Sequence, residues 1–286
     1  MADRQIIDAH HHLWDLRVRP QPWITGPALE PLNRSFSLAD LEAEAKAAGV
    51  GATVVVQTVC LPEETPELLA TADESDLIHG VVGWVDLTAP DVPDRLARLR
   101  ELPGGDRLVG IRHQVQSEND PRWLLRPDVR RGLIAVAEAG LVYDLIISSH
   151  QLPAAIAAAA GLTGLTFVLD HLGKPPIASG QVEPWASNLR RLAELPNTVC
   201  KLSGLLTEAT PSTWRADHLR PYADIALDVF TPQRLIFGSD WPVSILEANY
   251  GEVVRVTDEL TDELGPHDKD AVFHRNAERV YRLKVY

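Results

Sequence analysis

Positive charge is in short supply. The 286-residue chain carries 27 lysines and arginines against 40 aspartates and glutamates, a formal net charge of −13. That balance excludes the basic surface that nucleic acid or an anionic membrane requires. It does not single out a substrate, because spread acidity ordinarily serves solubility. Cysteine is nearly missing as well. Cys60 and Cys200 each stand in an apolar, strand-like run without C-x-x-C spacing. A disulfide framework is therefore excluded, and both are expected to be core residues in a reducing compartment. No apolar stretch approaches the roughly 18–20 residues of a membrane span, and no signal peptide is seen before Asp3-Arg4. A cytoplasmic protein is expected. Glycine-rich dinucleotide and phosphate-binding loops are also absent.

What is present is a repeated alternation of short β-branched runs and helical patterns. The chain is long enough for one α/β barrel or two smaller domains. The first strand is read over Ile6–His10, and Ser37 caps a helix over LADLEAEAKAAG. GATVVVQTV is the second strand, followed by a helix with Pro66 in its first turn. IHGVVGWVDL, RLVGIRHQV, LVYDLIIS, LTFVLDH, NTVCKLSG and RLIFGSD follow as strands three to eight, each succeeded by a helical segment. The last helical stretch runs from about Gly251 to Leu283. Eight such units with no linker between them predict a (β/α)₈ barrel spanning residues 1–286 as one domain. A doubly wound open sheet is the alternative architecture.

Chemistry in a barrel gathers at the C-terminal ends of the strands, and unusual polar residues stand there. Strand one opens with IIDAHHHLWD, three of the chain's ten histidines in a row. Strict alternation puts Asp8, His10 and His12 on one face and Ile7, Ala9 and His11 on the other. Strand four ends in Arg112-His113, strand five in Ser148-Ser149-His150 and strand six in Asp170-His171. Strand seven carries Lys201 and Ser203, and strand eight ends in Ser239-Asp240-Trp241. Any one of these residues could be structural, and a barrel-buried Lys201 would need an anionic partner. Six of eight strands ending this way is more than a scaffold requires.

The series D-A-H-x-H, GIRH, VLDHLGKPP, CKLSGL and FGSDWPV resembles the amidohydrolase superfamily. It is most similar to the sugar-lactonase branch: L-fuconolactonases, L-rhamnonolactonases and their relative, pyrone-dicarboxylate lactonase. The likeness extends from Ile6 to the closing NAERVYRL. It implies a (β/α)₈ barrel that hydrolyses the ester ring of a small sugar-derived lactone. It also implies His10, His12 and Asp240 as ligands of a divalent metal such as zinc or manganese, where one is used. Asp240, His171 and Arg112 are implied as catalytic residues, with His113, Trp23, Lys201 and His150 facing the substrate. The binuclear members place a lysine or glutamate on strand four, where this chain has Arg112-His113, so two bridged ions are not expected. One ion or none are the alternatives left. A metal-dependent decarboxylase and a lactone isomerase are the alternative activities, and the oligomeric state is open.

Overall fold

β-Branched runs that bury both faces form eight parallel strands in a computed structural model describing Gln5–Val285. Asp3 and Arg4 lie outside the described residues. The strands are β1 (Ile6–His11), β2 (Val50–Val56), β3 (Ile78–Gly83), β4 (Leu108–His113), β5 (Val142–Leu145), β6 (Phe167–Leu169), β7 (Thr198–Leu202) and β8 (Leu235–Phe237). Each pairs with the next in chain order. A parallel bridge between His11 and Trp241 joins the last to the first. The result is the expected (β/α)₈ barrel, ringed by helices.

Those helices are α1 (Leu38–Ala48), α2 (Glu64–Asp73), α3 (Val92–Arg100), α4 (Pro127–Glu138), α5 (Leu152–Gly161), α6 (Trp185–Ala193), α7 (Leu205–Glu208), α8 (Ala216–Phe230), α9 (Tyr250–Leu260), α10 (Pro266–Asp270) and α11 (Asn276–Tyr281). Ser37 caps α1 through a reciprocal box with Asp40. The C-terminal stretch is not one continuous helix. Gly265 and Pro266 interrupt it, because proline lacks the N–H an unbroken helix needs and suits only a first turn. A π-helical segment over Ala271–Arg275 then leads into α11. No helix among the described residues is long and apolar enough to cross a membrane.

Two apolar layers hold the barrel together. Ile7, Ala9, Val54, Val56, Val142 and Ile236 point inward and pack on Ala277, Val280 and Tyr281 from α11. The outward residues of the same strands pack against the helices. Cys200 lies in that outer layer, fully buried. Cys60 does not meet the expectation of a core residue: it is half-buried and stands at the wall of a cavity.

The first strand also departs from strict alternation. Asp8 pairs with Thr53 and His11 with Val55, so three steps on β1 match two on β2. The extra residue is a β-bulge. Ile7 and Ala9 face into the barrel, while Asp8 faces outward to Tyr250 of α9. After the bulge, His10 turns inward beside Ala9, and His11 turns outward to bond Thr53 Oγ1 at 2.9 Å. Asp8 and His10 therefore lie on opposite faces.

Candidate active site

Four side chains converge at the C-terminal mouth of the barrel. Asp240 Oδ1 lies 3.4 Å from His12 Nε2, 3.7 Å from His10 Nε2 and 3.8 Å from His171 Nε2. All four residues are buried. Each histidine is aimed through its other nitrogen. His12 Nδ1 is 2.7 Å from the Val56 carbonyl, to which it donates, and this aims Nε2 at Asp240. His171 Nδ1 meets Ser203 Oγ at 2.9 Å, and His10 Nδ1 faces Asp170 Oδ1 at 3.3 Å.

Local backbone strain places two of the four. His171, Leu172 and Lys174 have φ of 53°, 52° and 54°, and Asp240 has 57°. Side-chain-bearing residues seldom adopt this left-handed region, and such outliers gather at functional sites. They also explain why β6 and β8 stop earlier than their sequence patterns suggest. Trp185 Nε1 donates to the Leu172 carbonyl at 2.7 Å, tying down the strained turn. Gly204 makes room for the His171 ring, since a Cβ there would lie 2.6 Å from His171 Cγ. The β1–β8 seam fixes Asp240: its N–H donates to the His10 carbonyl at 2.8 Å, and the His12 N–H donates to the Trp241 carbonyl at 2.7 Å.

Beneath His10 lies a fully buried ionic network. Lys201 Nζ contacts Asp144 Oδ2 at 2.6 Å, Asp170 Oδ1 at 3.0 Å and His10 Nδ1 at 3.0 Å. Arg112 Nη1 donates to Asp170 Oδ2 at 3.0 Å and lies 3.2 Å from His10 Nε2, while Nη2 donates to the Gln57 carbonyl. Tyr281 Oη donates to Asp144 Oδ2 at 2.9 Å. Burial pushes the Asp144 carboxyl up to about 6, against the pull of Lys201. Asp170 is also penalised by burial, but Lys201, His10 and Arg112 together hold it well below the ordinary range.

Burial, reinforced by Lys201, keeps His10 neutral at pH 7, and burial lowers His171 to about 4. Asp240 loses hydration too, yet His171, His12 and His10 outweigh that penalty and its carboxyl stays well below the usual range. A carboxylate with imidazole nitrogens around it is a donor set for a divalent cation. The atoms of His10, His12 and Asp240 that would bind it lie within 4.8 Å of one another, as do those of His10, Asp170 and His171. The residues therefore fit an ion.

His12, His171, Asp240 and Arg112 line a cavity of about 630 Å³, together with Trp23. Trp23 sits in the cavity wall, its ring edge-to-face with Trp14 at 5.6 Å. Trp14, Trp84 and Trp241 are buried instead.

Three residues expected to face substrate are placed elsewhere. On β4 alternation sends Arg112 inward and His113 outward. His113 accepts from Trp84 Nε1 at 3.0 Å, meets Glu118 Oε1 at 2.8 Å and stacks on Trp123 with centroids 4.1 Å apart. His150 is exposed in the short turn after β5 and is absent from the cavity wall, because the chain leaves the barrel before it. Lys201 is fully buried one layer below the cavity, where it neutralises carboxylates. The sequence reading missed Asp144, whose clue was a carboxylate inside the apolar run LVYDLII. It also missed Glu64, which accepts from Thr58 N at 2.9 Å and Val59 N at 3.0 Å and so holds one cavity wall.

Comparison with known proteins identifies the family of the whole chain. Residues 7–283 match the amidohydrolase family. An L-fucono-1,5-lactonase from Burkholderia ambifaria is 38% identical over 283 residues, 97% of this chain and 95% of that one. A second, from Burkholderia multivorans, is 38% identical over 291 residues, covering 97% of this chain and 96% of its own. The crystal structure of a Burkholderia multivorans amidohydrolase with bound zinc superposes with a TM-score of 0.92 at 38% identity, covering 98% of this chain and 99% of the other. Both the sequence match and the superposition run through the mouth of the barrel, and the chain belongs to the amidohydrolase family.

Proposed function

We propose that this protein hydrolyses the ester ring of a sugar-derived lactone, of the L-fucono-1,5-lactone type, to the open hydroxy acid. One observation carries the reading: an ionised Asp240 ringed by three imidazoles at the floor of a cavity of about 630 Å³, with Arg112 beside it. The near-complete match to two L-fucono-1,5-lactonases supports it, and relatives of this kind favour neither the decarboxylase nor the isomerase alternative.

Hydrolysis needs a water deprotonated, a carbonyl polarised and a leaving oxygen protonated. Asp240 takes the proton as the water oxygen bonds to the lactone carbon, and returns it to the ring oxygen when the ester bond breaks. Arg112 has N–H groups not spent on Asp170 and Gln57, and it lines the cavity where the oxyanion develops. His171 holds its place through Ser203 and presents Nε2 to Asp240. Trp23 covers an apolar part of the substrate. His10, His12 and Asp240 would hold a single divalent ion such as zinc, which when bound lowers the pKa of water and polarises the carbonyl.

The test is acid release from L-fucono-1,5-lactone, followed with a pH indicator. Asp240→Asn should lose about 10²–10⁴-fold in turnover while melting as the parent does. Wild-type rates retained by that variant would remove Asp240 from the mechanism. Activity lost on chelation and restored by zinc or manganese would assign the ion, whereas full activity after chelation would make the reaction metal-free.

A further inference from the structure

Lys174 and Glu208 are the charged pair at the cavity wall that the chemistry above does not use. Lys174 ends the strained left-handed turn begun by His171, so the turn that places a reacting group also delivers this ammonium to the cavity. Glu208 ends α7 and lines the same cavity. Their charged atoms stand 3.7 Å apart in a loose, partly exposed ion pair. Both side chains keep about a quarter of their surface open.

Several other polar wall residues are engaged within the protein. Gln114 donates to the Thr58 carbonyl, and Gln116 donates to Gln114. The Thr58 hydroxyl is spent on Glu64. Among the described residues, Lys174 and Glu208 have only each other. An ammonium offers three donors and a carboxylate about four acceptor sites, so most of both remain available. Much of the remaining wall, including Trp23, Leu29, Val243 and Leu246, is apolar.

We infer that Lys174 and Glu208 read a pair of adjacent ring hydroxyls on the substrate, the ammonium donating to one and the carboxylate accepting from the other. A hydroxyl both donates and accepts, so a vicinal diol can take one bond from the ammonium and give one to the carboxylate while the loose ion pair stays in place. An unsubstituted lactone cannot. The selected class is thus a polyhydroxylated lactone, recognised away from the ester being cleaved. This inference rests on the lactone reading.

The experiment compares the parent with Lys174→Met, Glu208→Leu and the double variant, which leaves neither charge unpaired. KM and kcat are measured for L-fucono-1,5-lactone, and δ-valerolactone, which has no hydroxyls, is titrated as a competitor. KM should rise about tenfold or more in each variant, the value of one hydrogen bond to a charged group. The inhibition constant of δ-valerolactone should move less than about twofold on the same scale. An unmoved KM, or a KM and an inhibition constant that shift together, would overturn the assignment. A parent enzyme that releases no acid from any sugar lactone would instead defeat the lactone reading itself.

Discussion

Tyr250 Oη donates to Asp8 Oδ2 at 2.6 Å, joining residues 242 positions apart. The same buried carboxylate accepts from Ser239 N at 2.8 Å, Ser239 Oγ at 2.6 Å and His10 N at 3.0 Å. Asp8 therefore ties the bulge that turns His10 inward to the segment that carries Asp240. Tyr250→Phe should cost about 1–3 kcal/mol, the range for a buried polar group losing its partner, and Asp8→Asn should cost more because several donors are stranded. Both should lower kcat of the folded enzyme, since the β1–β8 seam sets the distance from the histidines to Asp240. Urea melts and kcat per folded molecule check this; two silent variants would mean that the seam holds without Asp8.

Lys201 counters two buried carboxylates. Lys201→Met fills similar space but leaves Asp144 and Asp170 facing each other across the barrel with less positive charge between them. A loss of about 3–5 kcal/mol is expected, typical of a buried pair stripped of one partner. Equilibrium denaturation measures it. A loss within error of zero would show that the carboxylates take up protons at little cost.

Gly204 has φ of +64°, and a Cβ there would lie 2.6 Å from both Cγ and Nδ1 of the His171 ring. Neither can retreat easily, because Nδ1 is engaged by Ser203. Gly204→Ala should therefore cut turnover about 100-fold, as small misplacements of catalytic groups do, with a smaller proportional effect on the melting temperature. Full activity would show that His171 can move freely or is dispensable.

His113 gives a pH signature separate from the reacting groups. Burial lowers its pKa below the ordinary 6.5, partly offset by Glu118. As pH falls through about 6.5, the unfolded chain takes up a proton at this position that the folded one resists, so stability is lost on acidification. The parent should lose more melting temperature between about pH 7.5 and pH 5.5 than His113→Phe, which cannot titrate. Equal losses would show that the folded imidazole charges as readily as the unfolded one.

Strand count, helix caps and the order of polar strand ends were legible in the sequence because each depends on near neighbours. The Ser37 capping box and Pro66 in the first turn of α2 are of this kind. So was the gathering of His10, His12, His171 and Asp240, because parallel strands in one barrel bring their C-terminal ends together. Where a side chain then points was less legible. Alternation misassigned Asp8, since one extra residue on β1 reverses the faces and no pairing partner is visible in a single strand. His113 misled for another reason: a histidine next to an inward Arg112 must point outward, yet its type suggested chemistry.

The sequence alone determined that this chain builds an eight-stranded parallel barrel with its polar residues at one end, because period and residue type encode burial locally. Only the tertiary structure decided which polar residues form the floor of the cavity and which serve as counter-ions beneath it. That division depends on contacts such as Lys201–Asp144 and Tyr250–Asp8, made between distant segments once the barrel has closed.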